Sequence, residues 1–269
     1  MSDITVTFKN QTILTMDASG SKLLLTQGKY CEDDISIAYV KPSGGGDTLG
    51  ALLDNTLTSF SHSGAVTLTQ DMFKGKTALA SILLPDVTSI PDGCFQDCAN
   101  VSACNFDSCI SLGVSALQAF GTNALSVLHL PSVKTTGAYA LAYLGSASNP
   151  ITVVLPQIET AASDFLRMSG IQAVDLGPNL AQLPARTFYY TSGTKHYYNV
   201  ILRRTSGVVT CANANALSSL DANTTVWVHA ALLSQYQSDP DWATKTTIHW
   251  ATIEGSIYEN AYADGTPIT

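Results

Sequence analysis

The chain has 269 residues, of which 45% are hydrophobic and only 13% are charged. Charged residues usually make up about a quarter of a soluble protein, so this composition argues against a disordered chain and predicts an extensively packed fold. The formal net charge of −8 gives no electrostatic footprint for nucleic acid or an anionic membrane, and no apolar run approaches the roughly 18 residues of a membrane span.

Residues 1–41 are predicted to form a small β module. Apolar and polar residues alternate over residues 4–8 and again over residues 35–39, which indicates two strands with one buried face each. Such a short module has a thin core, so it is expected to lean on another chain or to oligomerise. The alternative is a hairpin unit packed back on the first repeat. Three consecutive glycines within residues 42–47 predict a flexible linker.

Residues 48–224 contain a repeat. Large apolar residues recur in two columns, with steps of 22 to 24 residues in the first and 21 to 26 in the second. The first column is Phe73, Phe95, Leu117, Leu141, Phe165 and Phe188, and the second is Leu84, Phe106, Leu130, Leu155, Leu176 and Leu202. Two columns in phase over six units predict a solenoid, in which each unit buries its apolar face against its neighbours.

Each repeat is predicted to contribute one short strand. An apolar or small residue stands two positions before every member of the second column, which is the spacing of two side chains on one face of a strand. The small residues that precede the first column fit either a short helical turn or a second strand. The expected fold class is a leucine-rich-repeat-like solenoid, α/β or mainly β, with one short strand in each repeat of about 23 residues.

Residues 225–255 are predicted to close the C-terminal end of the solenoid. Residues 225–228 are interpreted as a last strand and residues 230–238 as a helix, which stops at Asp239-Pro240. A terminal unit has to cover the open end of the core, and a strand followed by an amphipathic helix suits this role. The polar segment 256–269 is expected to be a loosely ordered tail.

Two of the repeats carry a recognisable motif. The units LLPDVTSIPDGCFQDCANV (83–101) and LHLPSVKTTGAYAL (128–141) resemble the BspA-like leucine-rich-repeat family, whose pattern is roughly L-P-x-x-V-T-x-I-G-x-x-A-F-x-x-C-x-x-L. Cys98 occupies the family's cysteine position. The closing stretch of the repeats is also similar, although His229 stands where the family usually has proline. The resemblance covers residues 48–255.

The resemblance implies a role in recognition. BspA-like proteins are associated with bacterial surface adhesion, and residues 24–40 resemble a leader module of phage and prophage structural proteins. Members displayed on cells need a secretion signal, which MSDITVTFKN does not resemble. We therefore expect a phage tail or tail-tip component, made in the host cytoplasm and located in the virion, that binds a host-surface glycan or protein. Residues 1–40 are expected to bind other virion proteins or to self-associate. The alternative is a bacterial cell-surface adhesin.

The sequence shows no pattern of catalytic chemistry. Nucleophile-elbow, zinc-protease, phosphate-loop and dinucleotide motifs do not occur, so the chain is predicted not to be an enzyme and to need no cofactor. Four cysteines lie within residues 94–109, but their spacing differs from paired C-x2-C zinc ligands, and buried apolar cysteines are the favoured interpretation. No metal site is expected. Arg203 and Arg204 are interpreted as ordinary surface charge.

The outward side chains of the repeat strands are the first candidate binding surface. Asn105, His129, Asp175 and Asn199 fall between inward positions, so they are expected to form a ladder across the sheet face, where solenoids commonly bind. The alternative is a covered or neutral sheet surface.

A tyrosine-rich segment is the second candidate. Tyr189, Tyr190 and Tyr197 offer large contact area at low entropy cost, which suits both sugars and protein hot spots. The neighbouring Tyr198 falls near a repeat strand, so core or edge packing of this segment is the alternative.

Overall fold

The structure is a computed structural model that describes residues 4–8, 13–16, 23–27, 57–64, 66–190 and 196–268. From residue 57 onwards the chain is a parallel β-solenoid with little helix, and the prediction of a leucine-rich-repeat-like fold is confirmed. Successive turns place one strand along a long side of the solenoid. In the described residues, six turns also place a two-residue strand along a second side.

The long side is built from strands in register. In chain order these are β4 (Leu57–Ser61), β5 (Ser81–Leu83), β7 (Ala103–Asn105), β9 (Val127–His129), β11 (Ile151–Leu155), β13 (Ile171–Leu176), β15 (Tyr197–Leu202), β17 (Thr225–Val228) and β18 (His249–Thr252). They pair parallel with their neighbours in two sheets, β4-β5-β7 and β9-β11-β13-β15-β17-β18. One face of each sheet packs on the core, and the other is called the outer face.

Three N-terminal strands extend the first of these sheets. They are β1 (Ile4–Phe8), β2 (Ile13–Met16) and β3 (Leu23–Gln27). β2 pairs antiparallel with both β1 and β3, and β1 also pairs antiparallel with β4. The strand predicted over residues 4–8 is confirmed. The strand predicted over residues 35–39 and the linker at 42–47 lie outside the described residues. The pairing with β4 corresponds to a module packed on the first repeat.

The two apolar columns form the core. All twelve of their side chains are at most 1% exposed. At the N-terminal end, the rings of Phe60, Phe73 and Phe95 follow one another at centroid distances of 4.9 and 5.0 Å. The columns read from the sequence therefore identify the stacked interior of the solenoid correctly.

The second side of the solenoid is built from two-residue strands. Its strands are β6 (Ser89–Ile90), β8 (Ser111–Leu112), β10 (Thr135–Thr136), β12 (Thr160–Ala161), β14 (Gln182–Leu183) and β16 (Thr210–Cys211). They form the sheets β6-β8-β10-β12 and β14-β16. The small residues before the first column, such as Gly93 and Ala138, therefore lie in a turn that follows a second short strand.

The turns after the second side have an unusual backbone. Ser115 and Ala119 both have φ of 53°, and Tyr139 and Tyr143 have 59° and 62°. A left-handed non-glycine residue costs roughly 1–2 kcal/mol. Hydrogen bonds between successive turns hold this conformation, for example from the Ser115 N–H to the Ala138 carbonyl at 2.9 Å. Side chains at equivalent positions of successive turns consequently lie next to one another.

The C-terminal cap forms as predicted. After β17, a 3-10 turn (Ala230–Leu232) continues into the helix α1 (Leu233–Ser238). Tyr236 and Trp242 are fully buried at the end of the core. The Val209 N–H donates to the Tyr236 hydroxyl at 2.9 Å, and the Val209 carbonyl accepts from the Trp242 indole at 2.8 Å. Further 3-10 turns span Ala214–Leu217 and Trp242–Thr244.

The tail differs from the expectation of loose order. Residues 254–268, which we call the strap, run back from β18 across the outer face and reach β9, where Asp264 lies 2.8 Å from His129. The strap also bonds to itself, since the Tyr262 N–H donates to the Thr266 carbonyl. Hydrogen bonds of Arg203 and Asp175 to its main chain order this polar segment.

Thr136 is the clearest defect in the core. It aligns with Leu112 of β8 and Ala161 of β12, is 7% exposed, and its hydroxyl has no hydrogen-bond partner among the described residues. We expect Thr136→Val to raise the free energy of unfolding by about 1 kcal/mol, because it removes an unpaired buried hydroxyl. Chemical denaturation measures this. Thr135→Val, at an exposed position of the same strand, is the control and should change stability by less than about 0.5 kcal/mol. A less stable Thr136→Val protein would contradict the unpaired hydroxyl.

Candidate functional site

Outward side chains of the long side form two rows. The first row is Val127, Thr152, Ala173, Asn199, Thr225 and His249, and the second is His129, Val154, Asp175, Ile201, Trp227 and Ala251. Asn105, on β7, holds the position of its own repeat that corresponds to the second row. The four predicted ladder residues therefore do lie on the outer face.

The strap lies across the second row and is held there by Arg203 and Asp175. The Arg203 guanidinium donates to the carbonyls of Tyr258 at 2.9 Å and of Ala261 at 2.8 Å. The Ala263 N–H donates to the Asp175 carboxylate at 2.9 Å. All three strap atoms belong to the main chain, so these contacts recognise a backbone path and not side chains.

Arg203 and Asp175 also form a buried ion pair. Two parallel hydrogen bonds of 2.6 and 2.7 Å join the guanidinium to the carboxylate, and Asp175 is fully buried. Burial raises the pKa of the Asp175 carboxyl, and the hydrogen bonds from Arg203 oppose that rise. The interpretation of Arg203 as surface charge is wrong, because its side chain is only 8% exposed beneath the strap.

Aromatic contacts hold the strap at two points, one at each edge of the covered sheet face. Tyr258 packs edge-on against Trp227 with ring centroids 5.0 Å apart, and Tyr258 is 7% exposed. At the other end, the Tyr262 ring lies 6.0 Å from that of His129 and 5.1 Å from the Arg203 guanidinium carbon. The strap thus spans the sheet from β17 to β9.

This cover changes the assignment of the ladder residues. Asp175 is paired and buried within the chain, so it does not contact an external ligand while the strap is in place. The Asn199 amide accepts from the Trp227 indole at 2.9 Å. His129 is partly covered through its contact with Asp264. Asn105, beyond the strap, is half-buried and bonded to Asp107. The sequence also allowed this arrangement, in which the ladder residues belong to a covered sheet face and not to a binding surface.

The tyrosine segment divides into buried and accessible parts. Tyr197 is fully buried, and its hydroxyl donates to the Leu166 carbonyl at 3.0 Å. Its role is core packing, and burial raises its pKa. Tyr190 is half-buried, with its ring centroid 6.4 Å from that of Tyr197. Tyr189 points to a different group of side chains.

Tyr189 belongs to a cluster that we call the aromatic–arginine patch, comprising Tyr139, Asp164, Arg167, Arg186 and Tyr189. The Arg167 guanidinium carbon lies 6.0 Å from the Tyr139 ring centroid and 5.2 Å from that of Tyr189. Asp164, 1% exposed, accepts two hydrogen bonds from Arg186 at 2.7 and 2.6 Å and one from Arg167 at 3.3 Å. The Arg186 and Arg167 side chains are 42% and 22% exposed.

The stacked turns explain how the patch assembles. Tyr139, Asp164 and Arg186 each occupy the first left-handed position of their turn, with φ of 59°, 64° and 56°. Residues 22 to 25 positions apart in the sequence therefore become neighbours. The hydrogen bonds to Asp164 hold the pKa of the Arg186 guanidinium above its ordinary value. The sequence indicated Tyr189 but not its partners, which share only a position within two residues of the first apolar column.

The clustered cysteines are packing residues. Cys94, Cys98 and Cys109 are buried, and burial raises the pKa of Cys98 to about 12 and of Cys109 to about 11. Within the described residues, no group of three or more potential ligands is placed to hold a metal ion. The described part of the chain also has no helix with the length and apolar character to span a membrane.

Comparison with known proteins gives a limited match. No family model and no curated protein matches the chain. Among solved structures, a leucine-rich repeat protein from Bacteroides ovatus is similar, with 18% sequence identity and a TM-score of 0.40. The similarity covers 74% of this chain and 58% of that protein, so the chain spans less than two thirds of that relative's length.

Proposed function

We propose that this chain is a non-enzymatic recognition protein that binds a macromolecular ligand through the aromatic–arginine patch on its repeat array. Stacked-repeat solenoids are commonly interaction modules, because their regular surfaces are extended and rigid. The patch is the observation that carries the proposal. It presents two tyrosine rings and two arginines held by one buried carboxylate, and tyrosine and arginine dominate binding hot spots.

The charge of the patch indicates what it prefers. Two guanidinium groups against the single Asp164 carboxylate leave one positive charge, in a chain whose net charge is −8. Arg186 is held in place by its two bonds to Asp164, so little side-chain entropy remains to be lost on binding. An anionic group on a glycan or protein would therefore be favoured at this position.

The test is a binding screen with matched variants. Full-length protein is applied to an array of bacterial surface glycans and envelope proteins, and affinities for the captured ligand are measured. Tyr189→Ala and Arg186→Ala should each weaken binding about tenfold or more, as hot-spot truncations do. Thr160→Ala, exposed on the second side, is the control and should bind as the wild type does. Unchanged affinity in both patch variants would contradict the assignment.

We further propose that the chain is a phage tail or tail-tip component that recognises a host-surface glycan or protein. The resemblance of residues 24–40 to a leader module of phage structural proteins supports this. Residues 1–40 would then attach to other virion proteins or to another copy of the chain. A bacterial cell-surface adhesin is the rival. Tail or holin genes beside the coding gene would favour the virion, and a sortase gene or a full-length gene with a signal sequence would contradict it.

A further inference from the structure

We propose that the outer face between β9 and β17 is a docking groove for an extended peptide segment of a partner protein, with the strap as its resident, displaceable occupant. The partner segment that fits carries an aromatic residue and a carboxylate six residues further on, as the strap does with Tyr258 and Asp264. The inference is independent of the aromatic–arginine patch, which lies on the turns and not on the sheet.

The central contacts of the groove would accept a different chain. The hydrogen bonds of Arg203 and Asp175 to the strap go to two carbonyls and one N–H of its main chain, and Arg203 also lies over the Tyr262 ring. Any extended segment with the same backbone path supplies these atoms. A buried ion pair contributes little to stability compared with apolar residues of similar size. Arg203 and Asp175 form hydrogen bonds with each other and with the backbone of the strap. This indicates that the pair serves to hold a bound chain.

Specificity comes from the two ends of the groove. Tyr258 packs on Trp227 beside the buried Ile201, and this contact selects an aromatic side chain. At the far end the Asp264 carboxylate lies 2.8 Å from the His129 ring nitrogen, which selects an acidic group. The distance between these contacts sets the six-residue spacing of the partner segment.

The strap is attached weakly enough to be displaced. Tyr258 is the one buried residue of the strap, whose apolar side chains Ile257 and Ile268 are 79% and 38% exposed. The strap is not a strand of the sheet, and its bridge between Ala261 and Pro267 is internal. Segments with few buried apolar contacts open at a small fraction of the global unfolding free energy. The groove is therefore exposed in a minor population.

The experiment measures binding of a labelled peptide with the sequence of residues 254–268 to the full-length protein. The resident strap competes, so the apparent affinity is the intrinsic affinity reduced by the fraction of open grooves. Tyr258→Ala in the protein weakens the strap and should raise the affinity for the wild-type peptide by about tenfold or more. Ile257→Ala, at a 79% exposed position of the same strap, is the control and should leave the affinity unchanged.

The direction of the effect separates this inference from general damage, which would lower the affinity. No peptide binding to either protein, or equal affinity in Tyr258→Ala and wild type, overturns it. Hydrogen exchange on the wild type gives a second test that needs no variant: the Ala263 amide should exchange well before the amides of β13 and β15. Exchange of Ala263 only on global unfolding overturns the proposal. Arg186→Ala should leave peptide binding unchanged. The groove and the aromatic–arginine patch are therefore tested separately.

Discussion

Arg203→Met is expected to lower the free energy of unfolding by about 3–5 kcal/mol at neutral pH. Asp175 is fully buried, and Arg203 makes two hydrogen bonds to its carboxylate. Without the guanidinium, a buried charge is left unpaired, and two carbonyls of the strap lose their donor. Methionine preserves much of the packing of the arginine stem, so the loss reports mainly the missing charge. Chemical denaturation of the two proteins measures the difference.

The destabilisation should decrease as the pH falls. Burial already raises the pKa of the Asp175 carboxyl, and Arg203 opposes the rise, so removing Arg203 raises the pKa of the folded state further. A carboxyl whose folded pKa exceeds its unfolded value of about 3.9 is stabilising below that value. That contribution is lost as the pH rises through the folded pKa. A difference in the free energy of unfolding between wild type and Arg203→Met that stays constant from about pH 4 to about pH 8 would contradict a buried, charged Asp175.

A double variant is the control for this prediction. Arg203→Met combined with Asp175→Leu replaces the ion pair by apolar side chains, which is often nearly neutral for stability. It should therefore recover most of the stability that Arg203→Met loses. The strap still lacks its polar anchors in this protein, so its amides should exchange faster than in the wild type. The comparison separates the stability of the solenoid from the attachment of the strap.

Leu155→Ala is expected to destabilise the protein by about 2–5 kcal/mol. Leu155 is fully buried in β11 and aligns with Leu176 of the next strand. Truncation removes apolar contacts and leaves a cavity in a core of stacked side chains that has little freedom to collapse. Val127→Ala, at a 37% exposed position of β9, is the control and should cost less than about 0.5 kcal/mol.

The unfolding of Leu155→Ala should also become less cooperative. Each repeat contacts mainly its neighbours, so damage at β11 weakens the junction between the N-terminal and C-terminal halves. The variant is expected to unfold in two transitions in denaturant, and the wild type in one. A stability equal to that of the wild type would contradict the position of Leu155 in the core column.

The core was predictable because its signal is periodic. Large apolar residues at the two columns have to face inward in every turn, and six repetitions remove the ambiguity of any single unit. The orientation of Asp175 and His129 follows from the same register, since alternate residues of a strand face opposite sides. The burial of the columns and the pairing of their strands confirm both inferences.

The surfaces were less predictable because their determinants are not periodic. The strap is polar, and its anchors contact main-chain atoms, which leave no side-chain pattern in the sequence. Arg203 beside Arg204 resembles ordinary surface charge until the covering segment is known. The patch joins residues whose offsets from the first column differ, since Tyr139 stands two positions before Leu141 and Asp164 one position before Phe165.

Stacking of the repeats in register underlies both proposed surfaces, and a disulfide between turns tests it most directly. Thr135 and Thr160 are exposed Cα partners on β10 and β12, 25 positions apart in the sequence. Neighbouring strands lie about 4.8 Å apart, within the roughly 4.4–6.8 Å between Cα atoms that a disulfide spans. Replacing Ser111 and Thr160 is the control, because β10 separates them at roughly twice that distance.

The measurement is peptide mapping after mild oxidation of the two double variants. Burial raises the pKa of Cys98, Cys104 and Cys211 to about 12, so these three native thiols present little thiolate to compete. Thr135→Cys with Thr160→Cys should yield the peptide linked between positions 135 and 160. Ser111→Cys with Thr160→Cys should yield no link between positions 111 and 160. Failure of the first pair to cross-link, or a link in the control pair, would contradict the register on which both surfaces depend.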